Sequence, residues 1–377
     1  MKTAALRWTP HDGWTPPVAS WPSTADLVLY FGPRELLCQP AGPRAALTAR
    51  FSRAVCAGCS TAGEILDRDV SDDDLVALCV SFDHTTIRAE SIVVRSAAES
   101  FEAAASLGCQ LASPALRHVL ILSDGLLVNG SSLTAGFRAS LPADVHVTGG
   151  MAADGAAFHS TVVGLGSALA PGKVVAIGFY GDSLHLAHAS AGGWEPFGPR
   201  RLVTHSQGNV LFTLDDQPAL ALYKRYLGER AAGLPATGLL FPLHLLASRT
   251  AEQGLVRSIL AVDEQNQSLT FAGDIPQGHY VRLMKAGCDA LISGAESAAR
   301  TAAGRRDGFA LLVSCVGRRL VMGQRVEEEL EAVLSELGAG IRAVGFYSYG
   351  EICPSGLVHS CDLHNQTMTL TVFSEEP

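Results

Sequence analysis

The segment GCSTAGEI at residues 58–65 is echoed by GFYSYGEI at residues 345–352. Each copy follows an apolar run, SRAVCA before the first and GIRAV before the second, and so reads as the end of a buried strand breaking into a glycine-bearing turn. One turn written twice, almost three hundred residues apart, points to a chain built from two related halves.

The rest of the chain fits that frame. A length of 377 residues exceeds one comfortable core and predicts two units. Hydrophobic residues make up 47 % and charged ones only 17 %, below the usual share of roughly 25 %, so a large part of the chain must be buried. Strand-like runs (LVLYF, LVALCVSF, RHVLILSDG, KVVAIGFYGD, GFALLVSCVG) alternate with helical ones (RAALTARF, SAAESFEAAASLGCQLA, AGCDALISGAESAARTAA, RVEEELEAVLSELG). The expected fold is α/β (α+β): two related modules with mixed β-sheets flanked by helices, packed as a layered sandwich. Residues 1–23 read as an extended leader, 24–214 as the amino-terminal module and 215–377 as the carboxy-terminal one.

A net charge of −9, with 28 scattered basic residues, leaves nothing to neutralise a run of phosphates and excludes nucleic acid as a partner. No apolar stretch reaches the ~18–20 residues of a membrane-spanning helix, and the amino terminus lacks the apolar core of a signal peptide; a cytoplasmic location is expected. Most of the nine cysteines lie in apolar runs, as small hydrophobes. Cys56 and Cys59 form a C-x-x-C with no second pair nearby, and Cys353 and Cys361 follow the second turn, so a zinc or iron–sulfur site needs all four to converge.

In chain order, GCSTAGEI, VTGGMAADG (147–155), VTHSQGNVLFTLDDQPAL (203–220), and GFYSYGEICPSG with LHNQTMTLTV resemble the signature segments of FIST sensory proteins, over roughly residues 24–370. The resemblance implies a non-enzymatic sensor of a small ligand. As a stand-alone chain it is similar to the nitric-oxide-sensing branch, whose members bind haem and regulate a separately encoded histidine kinase or cyclic-di-GMP enzyme (diguanylate cyclase or phosphodiesterase). That reading brings haem b as cofactor, and a homodimer as a further expectation.

A haem needs an axial His or Cys in an apolar wall. His244, in LLFPLHLLAS beside Phe241, Pro242 and Leu243, is the first candidate for the iron; Cys353, followed by Pro354, is the rival, and His188, His205, His279 and His364 follow. The two GEI turns offer another chemistry. Successive backbone N–H groups with Ser60, Thr61 and Ser348 can grip a carboxylate, while Glu64 and Glu351 can hold an ammonium group, which suits an amino-acid-like ligand without haem. Equally, each Glu can cap donors inside its own turn. Asn365, with Gln366 and Thr367, either lines a ligand cavity or satisfies the neighbouring turn, and Tyr349 stands within the second turn itself. Gly149 and Gly150 mark close backbone approach. A hydrolase using Ser60 or Cys59 is the competing enzymatic reading, although neither turn matches a G-x-S-x-G nucleophile elbow.

Overall fold

The computed structural model describes residues 1–304, 307–355 and 361–376. Its architecture follows from three βαβ units, each a parallel pair of buried strands joined through helix. The pairs are Leu27–Gly32 with Val55–Ser60, Leu116–Ser123 with His146–Met151, and Gly308–Cys315 with Ile341–Ser348. Each grows into a mixed sheet by the same rule. A long strand returns antiparallel beside the first strand of the pair: Leu75–Ser81, Lys173–Tyr180 and Met368–Glu375 respectively. The strand opening each unit, Lys2–Thr9, Thr86–Val93 or Leu184–Ala191, then pairs outside the returning one.

On the other side, each sheet is completed by a hairpin from a different unit. The hairpin after Val55–Ser60 (Glu64–Leu66 and Asp69–Ser71) pairs with Ile341–Ser348 of the third sheet. The hairpin after Ile341–Ser348 (Gly350–Cys353 and Asp362–His364) pairs with His146–Met151 of the second. The hairpin after His146–Met151 (Val163–Leu165 and Ala168–Ala170) pairs with Val55–Ser60 of the first. Every unit thus gives a hairpin to one neighbour and receives one from the other.

Three glycines set the closeness of the parallel pairs. Gly58 pairs with Tyr30, Gly149 with Ile121 and Gly345 with Leu312. A Cβ added at these glycines would lie 2.0, 1.9 and 1.8 Å from the facing carbonyl oxygens of Tyr30, Ile121 and Leu312. Superimposing the glycines makes Ala62, Ala153 and Tyr349 equivalent, and their N–H groups close a ring: Ala62 donates to Tyr347 O (2.8 Å), Ala153 to Ser60 O (2.9 Å) and Tyr349 to Met151 O (3.2 Å). The GEI repeat therefore marks two of three equivalent turns. The third is TGGMAADG, which keeps the glycine but has lost the glutamate.

The inner faces of the three sheets meet in one core, with Leu29, Phe31 and Leu78 facing Leu120, Ile177, Leu311 and Phe346. Each outer face is covered by its own helices: Pro43–Arg50 on the first, Ser100–Leu111 and Gly130–Ser140 on the second, Cys288–Ala302 and Val326–Leu337 on the third. The α/β class with mixed sheets and flanking helices is as the sequence predicts. Residues 1–23 depart from the expected leader, because the alternating apolar residues of KTAALRWT give Lys2–Thr9 a face to bury, and Leu6 is 1 % exposed.

Between Leu184–Ala191 and Cys288–Ala302 an insert folds a fourth sheet, with strands from Glu195–Gln207 to Tyr280–Lys285, around its own core of Val203, Leu211, Leu243, Ile259 and Leu283. The expected boundary at residue 215 falls inside it. The insert is held to the body by buried polar contacts. Arg257 donates to Leu363 O (3.0 Å), Asn129 Nδ2 to Asp274 Oδ1 (2.8 Å), and Gln366 Nε2 to Leu239 O (3.0 Å) and Ser258 Oγ (2.8 Å).

The carbonyl contact makes a specific demand on the glycines. Gly345→Ala is expected to cost about 3 kcal/mol or more, since backbone cannot yield to a new methyl group. Gly166→Ala, at φ +57° with nothing within 4 Å of the added carbon, should cost about 1–2 kcal/mol. Urea unfolding of the two variants measures the difference, and equal losses would contradict the close approach.

Candidate functional site

The two GEI turns are built alike, and their acids face inward. Thr61 Oγ1 lies 2.5 Å from Glu64 Oε1 and accepts from Gly63 N–H at 3.3 Å. Ser348 Oγ lies 2.6 Å from Glu351 Oε1, while Glu351 Oε2 accepts from the N–H and hydroxyl of Thr367 at 3.2 and 3.0 Å. Glu64 is 1 % and Glu351 0 % exposed. Burial pushes both carboxyls up to about 8, against the pull of their hydroxyl partners. The geometry decides for the local reading, in which each acid closes its own turn. Ser60 is also committed, its Oγ accepting from Val162 N–H at 3.0 Å.

A cleft of about 480 Å³ opens where the insert meets residues 190–192 and the turn at residues 364–367. Its walls include Ser190, Gly192, His244, Glu252, His364 and Asn365. The structure thus brings together His244 and Asn365, which are far apart in the chain. Asn365 is 1 % exposed; its Nδ2 donates to Tyr349 O at 3.2 Å, which fixes the amide's orientation, and its Oδ1 has no hydrogen-bond partner. A buried acceptor left unpaired costs about 1–3 kcal/mol, so this oxygen is where a donor from a bound molecule would gain most. Tyr349 itself is buried, stacks on Phe158 at 4.6 Å between ring centroids and bonds Asp154, so it braces the turn.

Phe241, Pro242 and Leu243 do not form the apolar wall expected around His244; the apolar residues that share its cleft are Ala191, Leu255, Val256 and Pro354. In the strand Leu243–Leu246 alternate side chains face opposite ways. Leu243 and Leu245 therefore enter the insert's core, and the imidazole points to the polar side. Its ring lies against the Gly254 backbone, near Arg200, Glu252 and Arg282, and burial lowers its pKa, with Arg200 adding to the shift. Phe241 lines a separate groove with Arg230 and Lys285, and Pro242 is buried with its carbonyl accepting from Met284 N–H. These residues do not fit haem, because none supplies an apolar face beside His244. Of the other histidines, His205 is exposed and stacks on Phe212, and His279 lies outside the cleft. His364 lines the cleft and contacts Cys353 O at 3.1 Å, and His188 stands in a neighbouring crevice.

The four-cysteine site does not form. Cys56, Cys59 and Cys361 enter three different cores, the first two because residues three apart on a strand face opposite ways. Among the described residues no group of three or more His, Cys, Asp or Glu side chains is placed to hold a metal ion. The hydrolase reading loses its nucleophiles as well: Cys59 is buried in the central core with its thiol held well above the usual range by burial, and Ser60 is used by the backbone. Sequence reasoning found Asn365 and His244 but missed Ser190, Gly192 and Glu252, which belong to no motif and meet the cleft only through the insert's docking.

The raised glutamates give a pH dependence with a definite sign. An unfolded glutamate loses its proton near 4.3, whereas Glu64 and Glu351 keep theirs to about 8 in the fold. Their contribution to stability is complete below about pH 4 and is lost as pH rises to about 8, by up to a few kcal/mol each. Glu351→Gln keeps a donor toward Ser348 and an acceptor toward Thr367, and is expected to flatten the decline between pH 6 and 8. Urea midpoints at the two pH values test this; an unchanged slope in the variant would remove Glu351 as its source.

Comparison with known proteins follows the architecture. The FIST N domain matches residues 26–217 and the FIST C domain residues 219–354. A search of curated proteins finds no match to the chain. FIST domains are sensory modules of signal transduction and not catalytic ones. With the two matches spanning most of its length in the order that the turns and the insert require, the chain belongs to the FIST family.

Proposed function

We propose that the chain is a sensor holding a small amino-acid-like molecule in the cleft between the insert and the turn at residues 364–367, and that occupancy regulates a histidine kinase or cyclic-di-GMP enzyme. The observation that carries this reading is the unpaired, buried Oδ1 of Asn365 in the cleft wall. An amino or amide N–H would satisfy it, and Glu252 at the mouth adds a carboxylate that favours a cationic group. A ligand there touches both the insert and the 364–367 turn of the body, so binding favours the arrangement in which the two are docked.

The haem and nitric-oxide reading competes for the same place and rests on the His244 imidazole, without the wall expected of Phe241, Pro242 and Leu243. The two readings separate cleanly. In a thermal-shift screen of amino acids and simple amines, at least one is expected to raise the melting temperature, and Asn365→Leu should weaken that compound about tenfold or more. Absence of any stabilising amine, together with a Soret band that responds to nitric oxide and disappears in His244→Ala, would replace the proposed ligand with haem.

A further inference from the structure

The cyclic exchange supplies an internal control for judging which side chains the fold itself needs. Between the opening strand of each sheet and the hairpin exchange of the next lies a crevice with three equivalent wall positions. The first is on the opening strand, in register with the residue before the key glycine. Ala5 reaches it through Leu78, Leu29 and Ala57; Ala89 through Ile177, Leu120 and Thr148; His188 through Thr371, Leu311 and Val344. The second follows the donated residue that faces the glycine: Leu66, Leu165 and Cys353. The third lies three residues before the glycine: Arg342, Val55 and His146.

The three crevices differ in chemistry. Ala89, Leu165 and Val55 are apolar and pack against the central core. Ala5, Leu66 and Arg342 line an open groove in which Arg342 is paired with Asp67 at 2.6 Å. The remaining set is His188, Cys353 and His146: both histidines line a crevice, and Cys353 is buried beside His188 at 0 % exposure. Alanine and leucine satisfy the first two positions elsewhere in the same molecule, so a histidine and a cysteine there are not required for folding.

These three side chains are also connected. Cys353 Sγ lies 3.8 Å from His188 Nδ1, and His188 Nε2 lies 3.0 Å from His146 Nδ1. The arrangement is a thiol, an imidazole within reach of its proton, and a second imidazole orienting the first. A crevice of about 400 Å³ opens on both histidines and carries the hydroxyls of Ser190, Ser297, Thr301 and Ser355.

We propose that Cys353 is a reactive thiol that forms a covalent adduct with a small α,β-unsaturated carbonyl compound, with His188 as its base and His146 as the positioning residue. With His188 protonated on Nε2 toward His146, its Nδ1 takes the proton of Cys353. As the proton leaves, the sulfur forms a bond to the β-carbon, the π pair of the C=C bond moves to the α-carbon, and the proton returns from His188 to that carbon. Nothing is oxidised and no further reactant is needed. Burial keeps Cys353 protonated at rest, at about 12, and holds His188 neutral above about 4; both shifts oppose a standing thiolate–imidazolium pair, so proton transfer is concerted with carbon–sulfur bond formation. The other titratable groups facing the pair are His118, Cys361 and His364. This site is independent of the ligand proposed for the cleft.

Timed alkylation by acrylamide, read at each cysteine by mass spectrometry, tests the proposal. Cys59 and Cys315 are the comparators, being equally buried with no imidazole partner. Cys353 is expected to react about 100-fold faster than either, with a rate flat between pH 6 and 8. His188→Gln and His146→Phe should slow it and give it the rising pH profile of an unassisted thiol, with Cys59 still protected as the sign of an intact fold. Labelling of Cys353 no faster than Cys59 and Cys315 in the native protein overturns the proposal, as does an unchanged rate in folded His188→Gln.

Discussion

The structure depends on three places where a glycine lets a carbonyl of the neighbouring parallel strand come closer than any side chain permits. Tyr30, Ile121 and Leu312 face Gly58, Gly149 and Gly345 in this way. The turn after each glycine sends the chain out of its own sheet and into the next, and the ring of hydrogen bonds through Ala62, Ala153 and Tyr349 ties the departures together. No unit can complete its sheet alone. The consequence is one central core fed by three sheets, so the amino- and carboxy-terminal spans, although matched by separate family domains, fold as parts of one another.

Polar groups are buried where this exchange requires them. Glu64 and Glu351 cross into a neighbouring sheet with their carboxyls inside the protein, and each is met by the hydroxyl three residues before it. A buried ionised carboxylate is expensive, so the fold keeps these acids protonated through neutral pH. Beside the third sheet, Arg318 and Glu329 form a fully buried ion pair whose further bonds go to Gly192 O, Leu291 O, Gln366 O, Ser314 and Tyr347. Satisfied networks of this kind hold the body rigid. Among the described residues a few buried polar atoms remain unpaired, among them Glu64 Oε2, Gln366 Oε1 and Asn365 Oδ1, and of these three residues only Asn365 lines the cleft.

Both candidate sites lie where symmetry is broken. The insert interrupts only the third unit, and its docking turns a bare edge into a cleft containing His244 and Asn365. The adjacent crevice keeps the geometry of its two equivalents but replaces Ala and Leu with His188 and Cys353. A repeated scaffold separates what folding demands from what it leaves open, since the same position can be compared within a single chain.

The strands, the helices over them and the special status of the GEI turns were legible in the sequence, because apolar runs of strand length ending in Gly-bearing turns have one local solution. The inward role of Glu64 and Glu351 was half legible: a hydroxyl three residues before an acid permits a local bond but does not compel it. The third turn was hidden, since TGGMAADG shares with the others only its glycine and the preceding strand. His244 was misjudged for a physical reason. Leu243 and Leu245 alternate away from it on the strand, so the apolar residues nearest in the chain are not the ones, such as Val256, that stand across from it in space. By itself the sequence determined the class of fold, the family and the positions of the turns, all of which rest on local pattern. Only the tertiary structure decided which sheet each hairpin joins and which polar atoms remain unpaired, because both depend on contacts between segments that the chain order keeps apart.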